Sequence, residues 1–413
     1  MHIKPRNTHS TLCKLLANFP AVVVLGARQV GKSTLLKALL PKANYFDLER
    51  RSDFQRVAED PELVFRESDG PFIFDEAQLA PTLFNALRVE IDQHRDRNGH
   101  FLLSGSSSPE LLRNVTETLA GRCAIVELGT FSWNEGFSKP VSAFYASLTL
   151  PSTPSILADL KALSPLHTHA ELLEHCISGG YPEPFLKRSN RFFFEQWMES
   201  YIHSYIERDI RRLFPTLNLD AYQRFIKMLC FASGEIINLS NFSRSLGVSQ
   251  PTVKKYIDIM EGTFMWRTLK SYEKSHSKSI TKMPKGHIRD TGLICHLLNI
   301  HSIDDLKSHP KYGQLWEGFV IEQIVKGLQD QLITHQHYYY RTRSHAEIDL
   351  ILEGRFGTLP IEIKASYATP KNQLRTLEDF VVKNQCPCGV LVNNGDDIFM
   401  LSENIIQIPA RYL

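Results

Sequence analysis

The chain has 413 residues, of which 43% are hydrophobic and 22% are charged, a composition that excludes disordered and collagen-like proteins. Its length predicts roughly two to four domains, each with enough apolar residues to bury a core of its own. Because 47 lysines and arginines balance 45 acidic residues, the formal net charge of +2 excludes a global attraction for polyanions, and any contact with nucleic acid must come from a local patch.

Cysteine usage and the length of the apolar runs indicate where the protein resides. Seven cysteines without a CxxC pair argue against a disulfide framework and against a zinc knuckle. The N-terminus lacks a signal-peptide pattern, and no apolar run reaches the roughly 20 residues needed to cross a bilayer. We therefore expect a cytoplasmic protein with no membrane contact.

The first third of the chain has the pattern of an α/β domain. Short β-branched runs alternate with helical stretches, which indicates a parallel sheet covered by helices. Five strands are predicted, at residues 21–25, 44–48, 72–74, 100–104 and 123–128.

A phosphate-binding loop is predicted directly after the first strand. Residues 26–33 read GARQVGKS, which fits GxxxxGK[ST] between a strand and a helix. The glycines let backbone N–H groups converge on a polyphosphate at a helix N-terminus, while Lys32 would reach the β- and γ-phosphates and Ser33 would bind Mg²⁺. We expect ATP and Mg²⁺ to be bound by Gly26, Ala27, Arg28, Gln29, Val30, Gly31, Lys32, Ser33 and Thr34.

Polar side chains follow the later strands of this predicted sheet, at the edge where ligands bind. Asp75 would hold Mg²⁺ through water, and Glu76 would polarise the water that attacks the γ-phosphate; the alternative is that these acids only cap the next helix. A hydroxyl after the fourth strand, from Ser104 or Ser106, would lie beside the γ-phosphate as a sensor. Arg122 precedes the fifth strand, where it would project from the subunit edge towards a neighbour's nucleotide.

The middle of the chain contains a helix-turn-helix signal. Two helical patterns between residues 236 and 260 meet at a glycine turn, where Ser249 can cap the second helix. Its first turns would present Gln250, Thr252, Lys254 and Lys255 to a DNA major groove. A basic segment follows, with Lys270, Lys274, Lys278, Lys282, Lys285 and Arg289. This segment would attract phosphates in a salt-dependent way, and the alternative is that the module contacts a protein.

The last 125 or so residues contain a candidate metal site. Strand alternation puts Glu362 and Lys364 on one face, and Asp349 lies on the predicted neighbouring strand. Asp349 and Glu362 would hold a divalent cation, Lys364 would stabilise charge on a phosphodiester, and Glu317 on a helix is a fourth candidate. The set resembles the D…ExK nuclease pattern. The alternative is a half-exposed strand whose outward positions are charged by chance.

Taken together, these motifs resemble the prokaryotic AAA-type ATPases that carry a C-terminal domain of unknown function. The motifs are the phosphate loop, the acid pair and the runs SGSS at 104–107, LAGR at 119–122, GGYP at 179–182 and ERDI at 207–210. The resemblance implies an AAA-type domain at 1–138, a helical region at 139–232, a winged helix at 233–289 and a restriction-endonuclease-like domain at 290–413. It also implies that Arg122 is an arginine finger acting in trans in a ring or dimer.

Two functions are consistent with this pattern. The first is an ATP-hydrolysing AAA-type ATPase that engages DNA and carries a metal-dependent, nuclease-like C-terminal domain. The alternative is a regulatory or assembly switch, a homo-oligomer in which ATP only orders protomers and the inactive C-terminal domain binds a protein partner. The two functions differ at Asp349, Glu362 and Lys364.

Overall fold

The computed structural model describes residues 4–106, 115, 117–149, 156–273, 283–342 and 345–413. The chain forms two compact units. The first comprises Met1–Phe131 with Gly262–Phe264, and the second comprises Ser132–Glu261 with Met265–Leu413. Within the part of the chain that the structure describes, none of the helices combines the length and apolarity needed to cross a membrane.

The first unit is built on a five-stranded parallel sheet. Its strands are β1 Ala21–Leu25, β2 Asn44–Asp47, β3 Phe72–Asp75, β4 Phe101–Gly105 and β5 Cys123–Glu127. They lie in the order β2-β3-β4-β1-β5, and every pair is parallel. The central strand β1 is a run of alanine, valine and leucine that is buried along its whole length, as expected for a parallel strand covered on both faces. All five predicted strands are thereby confirmed.

Among the described residues, the helices that accompany this sheet are α1 Thr8–Asn18, α2 Lys32–Leu39, α3 Arg51–Glu59, α4 Pro61–Arg66 and α5 Thr82–Gln93. A short 3-10 turn follows β3 at Ala77–Leu79. Since parallel strands end at the same edge of a sheet, the residues after β1, β3 and β4 face one another there. This edge is where the sequence predicts the nucleotide site.

The second unit begins with helices, as expected from the helical region that the resemblance implies. They are α6 Trp133–Gly136, α7 Ala143–Ala146, α8 Ile156–Lys161, α9 His169–Ser178, α10 Pro182–Leu186, α11 Arg191–Ser204, α12 Arg211–Leu213, α13 Leu219–Phe231, α14 Leu239–Leu246 and α15 Gln250–Gly262. A π-helical turn, Tyr205–Ile210, links α11 to α12.

The remainder of the second unit carries a mixed nine-stranded sheet. Its strands are β6 Glu235–Ile236, β7 Trp266–Ser271, β8 Lys285–Ile288, β9 His335–Arg341, β10 Glu347–Gly354, β11 Gly357–Ile363, β12 Gly389–Asn393, β13 Phe399–Met400 and β14 Ile405–Pro409. Its helices are α16 Thr291–Leu297, α17 Ile303–Ser308, α18 Tyr312–Asp330 and α19 Arg375–Asn384. The strand order is β13-β14-β12-β11-β10-β9-β7-β8-β6.

One strand pair in this sheet bears on the domain organisation. Lys270 and Ser271 of β7 pair in parallel with Tyr338 and Tyr339 of β9. Strands from both sides of residue 289 therefore belong to the same sheet. The division of the chain at residues 138, 232 and 289 stays a prediction. The predicted segments 233–289 and 290–413 contribute strands to one shared sheet.

Candidate active site

The phosphate loop, residues 26–31, joins β1 to α2 in a conformation that requires glycine at two positions. Gly31 has φ 95° and caps the N-terminus of α2, in the left-handed region that glycine adopts without strain. A Cβ atom at Gly26 would lie 2.2 Å from the carbonyl oxygen of Leu128. The loop therefore passes the residue after β5 too closely for any side chain at position 26.

Lys32, the loop lysine, is turned back onto its own loop. Its Nζ donates to the carbonyl oxygens of Gly26 and Ala27, both at 2.9 Å, and lies 4.0 Å from Oε1 of Glu76. The side chain is buried. A phosphate oxygen would therefore meet an ammonium group that is already held at the centre of the loop.

Two arginines brace the loop from its flanks. The Arg6 guanidinium donates to the carbonyl oxygens of Val30 at 2.8 Å and Gly129 at 2.7 Å, so the N-terminal segment ties the loop to the residues after β5. Arg28 forms an ion pair with Glu49 at 2.6 Å. No sequence signal points to Arg6, because its partners are backbone carbonyls far along the chain.

Asp75, the last residue of β3, accepts hydrogen bonds from two hydroxyl groups. Its Oδ1 accepts a hydrogen bond from Oγ of Ser104, and its Oδ2 accepts one from the Tyr45 hydroxyl at 2.6 Å. Burial and the hydrogen bond to Asp75 raise the pKa of the Tyr45 phenol, whereas a hydrogen bond with Ser33 lowers it. Tyr45 thus bridges the two residues predicted to hold Mg²⁺, a role that the sequence alone does not indicate.

Glu76 follows Asp75 with a left-handed backbone, φ 56°, which directs its carboxylate away from the strand. The Oε2 atom accepts hydrogen bonds from Gln78 Nε2 at 2.6 Å, from Ser106 Oγ at 2.7 Å and from the Ser106 amide at 3.3 Å. The two candidate sensor hydroxyls therefore contact different acids: Ser104 donates a hydrogen bond to Asp75, and Ser106 donates one to Glu76. The predicted capping role does not apply to Glu76, which makes no side-chain cap to the short 3-10 turn.

Arg122 lies before β5 and is engaged within its own chain. Its Nε and Nη2 donate to the two carboxylate oxygens of Asp92 on α5, at 2.9 and 2.8 Å, and its Nη1 donates to the Ala120 carbonyl at 3.2 Å. Arg122 and Arg95 hold the pKa of Asp92 well below its usual range. The arginine predicted to act on a neighbouring subunit is thus restrained by an acid at the end of α5.

The arrangement fits a magnesium nucleotide. In nucleotide sites Mg²⁺ takes one or two carboxylates with substrate phosphates, and the Ser33 hydroxyl and Asp75 would supply the protein's share. The first turn of α2 offers backbone N–H groups to an anion. Ala27 and Val30 are buried in the loop, whereas Gln29 and Thr34 are exposed.

A second set of charged residues lies in the other compact unit. The C-terminal cluster is defined here as Lys285, Glu317, Glu347, Asp349, Glu362 and Lys364. All four residues that the sequence predicts for this site are brought together, on α18, β10, β11 and the residue after β11. Glu347 and Lys285 are additions that the structure makes.

Lys285 is at the centre of the C-terminal cluster. Its Nζ lies 2.5 Å from Glu317 Oε1, 2.6 Å from Glu347 Oε1 and 3.7 Å from Asp349 Oδ1. On the other side, Lys364 forms an ion pair with Glu362 and lies 4.0 Å from Asp349 Oδ2. Two ammonium groups thus stand among the carboxylates that were predicted to hold a metal.

Burial controls the protonation of this cluster. Burial and the nearby Asp349 raise the pKa of Glu317 and of Glu362, while their lysine partners oppose the shift. Burial lowers the pKa of Lys285, but the surrounding carboxylates outweigh it and raise the value above the ordinary one. Among the side chains that the structure describes, no three His, Cys, Asp or Glu residues are grouped so that they could hold a metal ion.

The helix-turn-helix signal corresponds to α14 and α15. Gly247 ends α14 in the left-handed region with φ 67°, and Ser249 Oγ accepts from the Thr252 amide at 3.3 Å, as expected for a cap. Gln250, Lys254 and Lys255 are exposed. The second helix thus presents the predicted polar face to solvent.

The basic segment differs from the expectation. Lys274, Lys278 and Lys282 lie outside the described residues, and Lys270 is exposed on β7. Lys285 and Arg289 are not solvent-facing cations, because Lys285 is buried in the C-terminal cluster and Arg289 Nε lies 3.4 Å from the buried Glu322. β8 runs through the sheet between β7 and β6, so its side chains meet carboxylates on α18 and β10 instead of solvent.

Comparison with known proteins divides the chain into three matched regions. Residues 18–137 match the model of an AAA domain. Residues 169–304 and 312–413 match two domains of unknown function, DUF8612 and DUF4143.

Similar proteins occur in mycobacteria. The uncharacterized proteins Mb2031c of Mycobacterium bovis and Rv2008c of Mycobacterium tuberculosis are each 32% identical over 412 residues, which is 99% of this chain and 84% of each relative. Among solved structures, the Walker-type ATPase PABY2304 of Pyrococcus abyssi is 18% identical with a TM-score of 0.40, covering 72% of this chain and 96% of that one.

Proposed function

This chain belongs to the family of the mycobacterial proteins Mb2031c and Rv2008c and carries an AAA domain, and on that premise we propose that it binds ATP with Mg²⁺ and hydrolyses it. The observation that carries the proposal is the convergence of Lys32, Asp75 and Glu76 at one edge of the parallel sheet. A phosphate loop by itself binds nucleotide, whereas an adjacent held carboxylate adds the group needed to position water.

Each residue has a separate task in this proposal. The N–H groups at the start of α2 bind phosphate oxygens, and Lys32 exchanges its two carbonyl partners for the phosphate charge. Magnesium, when bound, neutralises charge that develops on the phosphates, and Ser33 and Asp75 would hold it. Glu76 orients the attacking water, and Ser106 and Gln78 keep its carboxylate in place.

Two substitutions test the ATPase proposal. Lys32→Ala removes a phosphate contact and should weaken the binding of a fluorescent ATP analogue. Glu76→Gln should bind that analogue normally and release phosphate about 100-fold or more slowly, since a positioned base contributes roughly this factor. Hydrolysis by Glu76→Gln at the unmutated rate would remove the water-positioning role, and failure of the wild type to bind any nucleotide would remove the whole proposal.

A second candidate function, DNA binding, is favoured by the exposed face of α15. Gln250, Lys254 and Lys255 lie at the start of the second helix of a helix-turn-helix, where side chains of this kind contact bases and phosphates. Only part of the basic segment supports it, since Lys285 pairs with Glu317 and Glu347 and Arg289 pairs with the buried Glu322.

Salt dependence tests DNA binding directly. Affinity for a labelled duplex should fall steeply with salt, and Lys254→Ala should reduce the slope of log K against log salt by about 1. Lys227→Ala is the matched control, because Lys227 is also exposed but lies on α13, away from this face. A flat salt response, or an equal change in the control, would argue for a module that contacts protein.

For the C-terminal domain we propose the alternative function, an interaction module without nuclease activity. The support is the placement of two lysines among its four acids, where they offset part of the negative charge that a metal would otherwise neutralise. Purified protein with Mg²⁺ or Mn²⁺ should leave plasmid DNA intact. Nicking that disappears in Asp349→Ala would restore the metal-dependent nuclease.

A further inference from the structure

The Lys285 ammonium lies among three carboxylates of the C-terminal cluster. It is 4% exposed and contacts carboxylates from two elements, Glu317 on α18 and Glu347 on β10, at 2.5 and 2.6 Å. Asp349, also on β10, is 3.7 Å away. A lysine has three donors and no acceptor, and three carboxylates lie within 3.7 Å of this ammonium.

Because Lys285 is buried, its ammonium group needs charged partners. Moving an ammonium group out of water is unfavourable by several kcal/mol unless it is paired and hydrogen-bonded. Asp349 and Glu362 are buried as well and face the same requirement, since buried carboxylates also need compensation. The lysine and the acids around it therefore stabilise one another.

Both carboxylate oxygens of Asp349 face protein groups. Its Oδ1 faces Lys285 at 3.7 Å, and its Oδ2 accepts a hydrogen bond from the Ile363 amide at 2.8 Å. Lys364 approaches the same Oδ2 at 4.0 Å while pairing with Glu362. Divalent cations need oxygen ligands at about 2.0–2.6 Å in a nearly complete shell, and these contacts compete for that shell.

We infer that Lys285 is the resident cation of the C-terminal cluster and excludes a divalent metal from it. This inference deepens the proposed non-catalytic role of the domain and does not depend on the ATPase proposal. Lys285 is the first residue of β8, and its ion pairs link this strand to Glu317 on α18 and to Glu347 on β10. A metal could enter only if this lysine were removed.

The test measures metal binding in the full-length protein, with Mn²⁺ as the probe, without nucleotide and at pH 8. The spin resonance signal of free Mn²⁺ counts bound ions directly. The higher pH is chosen because burial raises the pKa of Glu317 and Glu362 and a metal binds only deprotonated carboxylates. Wild type and Asp349→Asn should take up equal amounts of Mn²⁺.

Lys285→Met should gain one Mn²⁺ per chain, bound at least about tenfold more tightly than by the wild type, a difference of about 1.4 kcal/mol. The gain should vanish in Lys285→Met combined with Asp349→Asn. Lys270→Met is the matched control, since it removes the same charge from an exposed position on β7. Added Mn²⁺ should raise the thermal midpoint of Lys285→Met and leave that of the wild type unchanged.

Two results would overturn the inference. One is a Mn²⁺ site in the wild type that Asp349→Asn removes, a comparison that needs no Lys285 variant and so survives a failure of that variant to fold. The other is a folded Lys285→Met protein that gains no Mn²⁺. ATP binding and phosphate release are measured on the same preparations, so loss of the ATPase function is seen separately.

Discussion

Tyr45→Phe tests whether the hydrogen bond from Tyr45 orients Asp75 for the binding of Mg²⁺. The phenol donates to Asp75 Oδ2 at 2.6 Å, and its ring lies under the Lys37 ammonium at 3.9 Å. Phenylalanine keeps the ring and removes only the hydroxyl. A hydrogen bond to a charged group is worth about 1.5–3 kcal/mol, and loss of a partner that orients a metal ligand typically lowers metal affinity about 10–100-fold. We expect a loss of about tenfold in Mg²⁺ affinity.

The assay is a Mg²⁺ titration of the binding of a fluorescent ATP analogue. Affinity for the analogue without Mg²⁺ should be unchanged, because Lys32 and the loop amides are untouched. The half-saturating Mg²⁺ concentration should rise about tenfold. Ser104→Ala provides the comparison, since it removes the donor to the other Asp75 oxygen and should act in the same direction. Identical titration curves for Tyr45→Phe and wild type would refute the reasoning.

Three further outcomes are expected in the first unit. Gly26→Ala should weaken nucleotide binding and lower the thermal midpoint, because its Cβ would meet the Leu128 oxygen at 2.2 Å; a fully active variant would contradict the close approach. Arg6→Met should weaken nucleotide binding, because two loop-bracing hydrogen bonds of 2.7–2.8 Å are lost; unaltered affinity would argue against that brace. Arg122→Ala and Glu76→Gln should each be inactive alone, yet a mixture should recover activity if Arg122 acts in trans; no recovery in mixed oligomers would place its action elsewhere.

The sequence predicts the strands and the nucleotide site because their determinants are local. A buried β-branched run specifies β1, and the loop motif after it needs only the adjoining strand and helix. The acid pair at the end of β3 reaches the same edge because parallel strands end together. The alternation that puts Glu362 and Lys364 on one face is equally local.

Other contacts could not be predicted, because their partners are far apart in the chain. Tyr45 meets Asp75 only through the pairing of β2 with β3. Arg6 binds carbonyl groups, which no side-chain pattern marks. Lys285 was assigned by composition to a basic, solvent-facing segment, and composition gives no information on which lysine of a run turns inward.

The amino-acid sequence by itself determined the α/β class, the phosphate loop and the carboxylates of both sites, since short-range periodicity and backbone geometry carry that information. The tertiary structure alone decided which cation lies among the C-terminal acids. The pairing of β7 with β9 and β8 brings Lys285 to residues 32 to 64 positions away in the chain, Glu317 and Asp349 among them. Because a buried charge is unfavourable without a partner, the buried Lys285 ammonium pairs with these carboxylates.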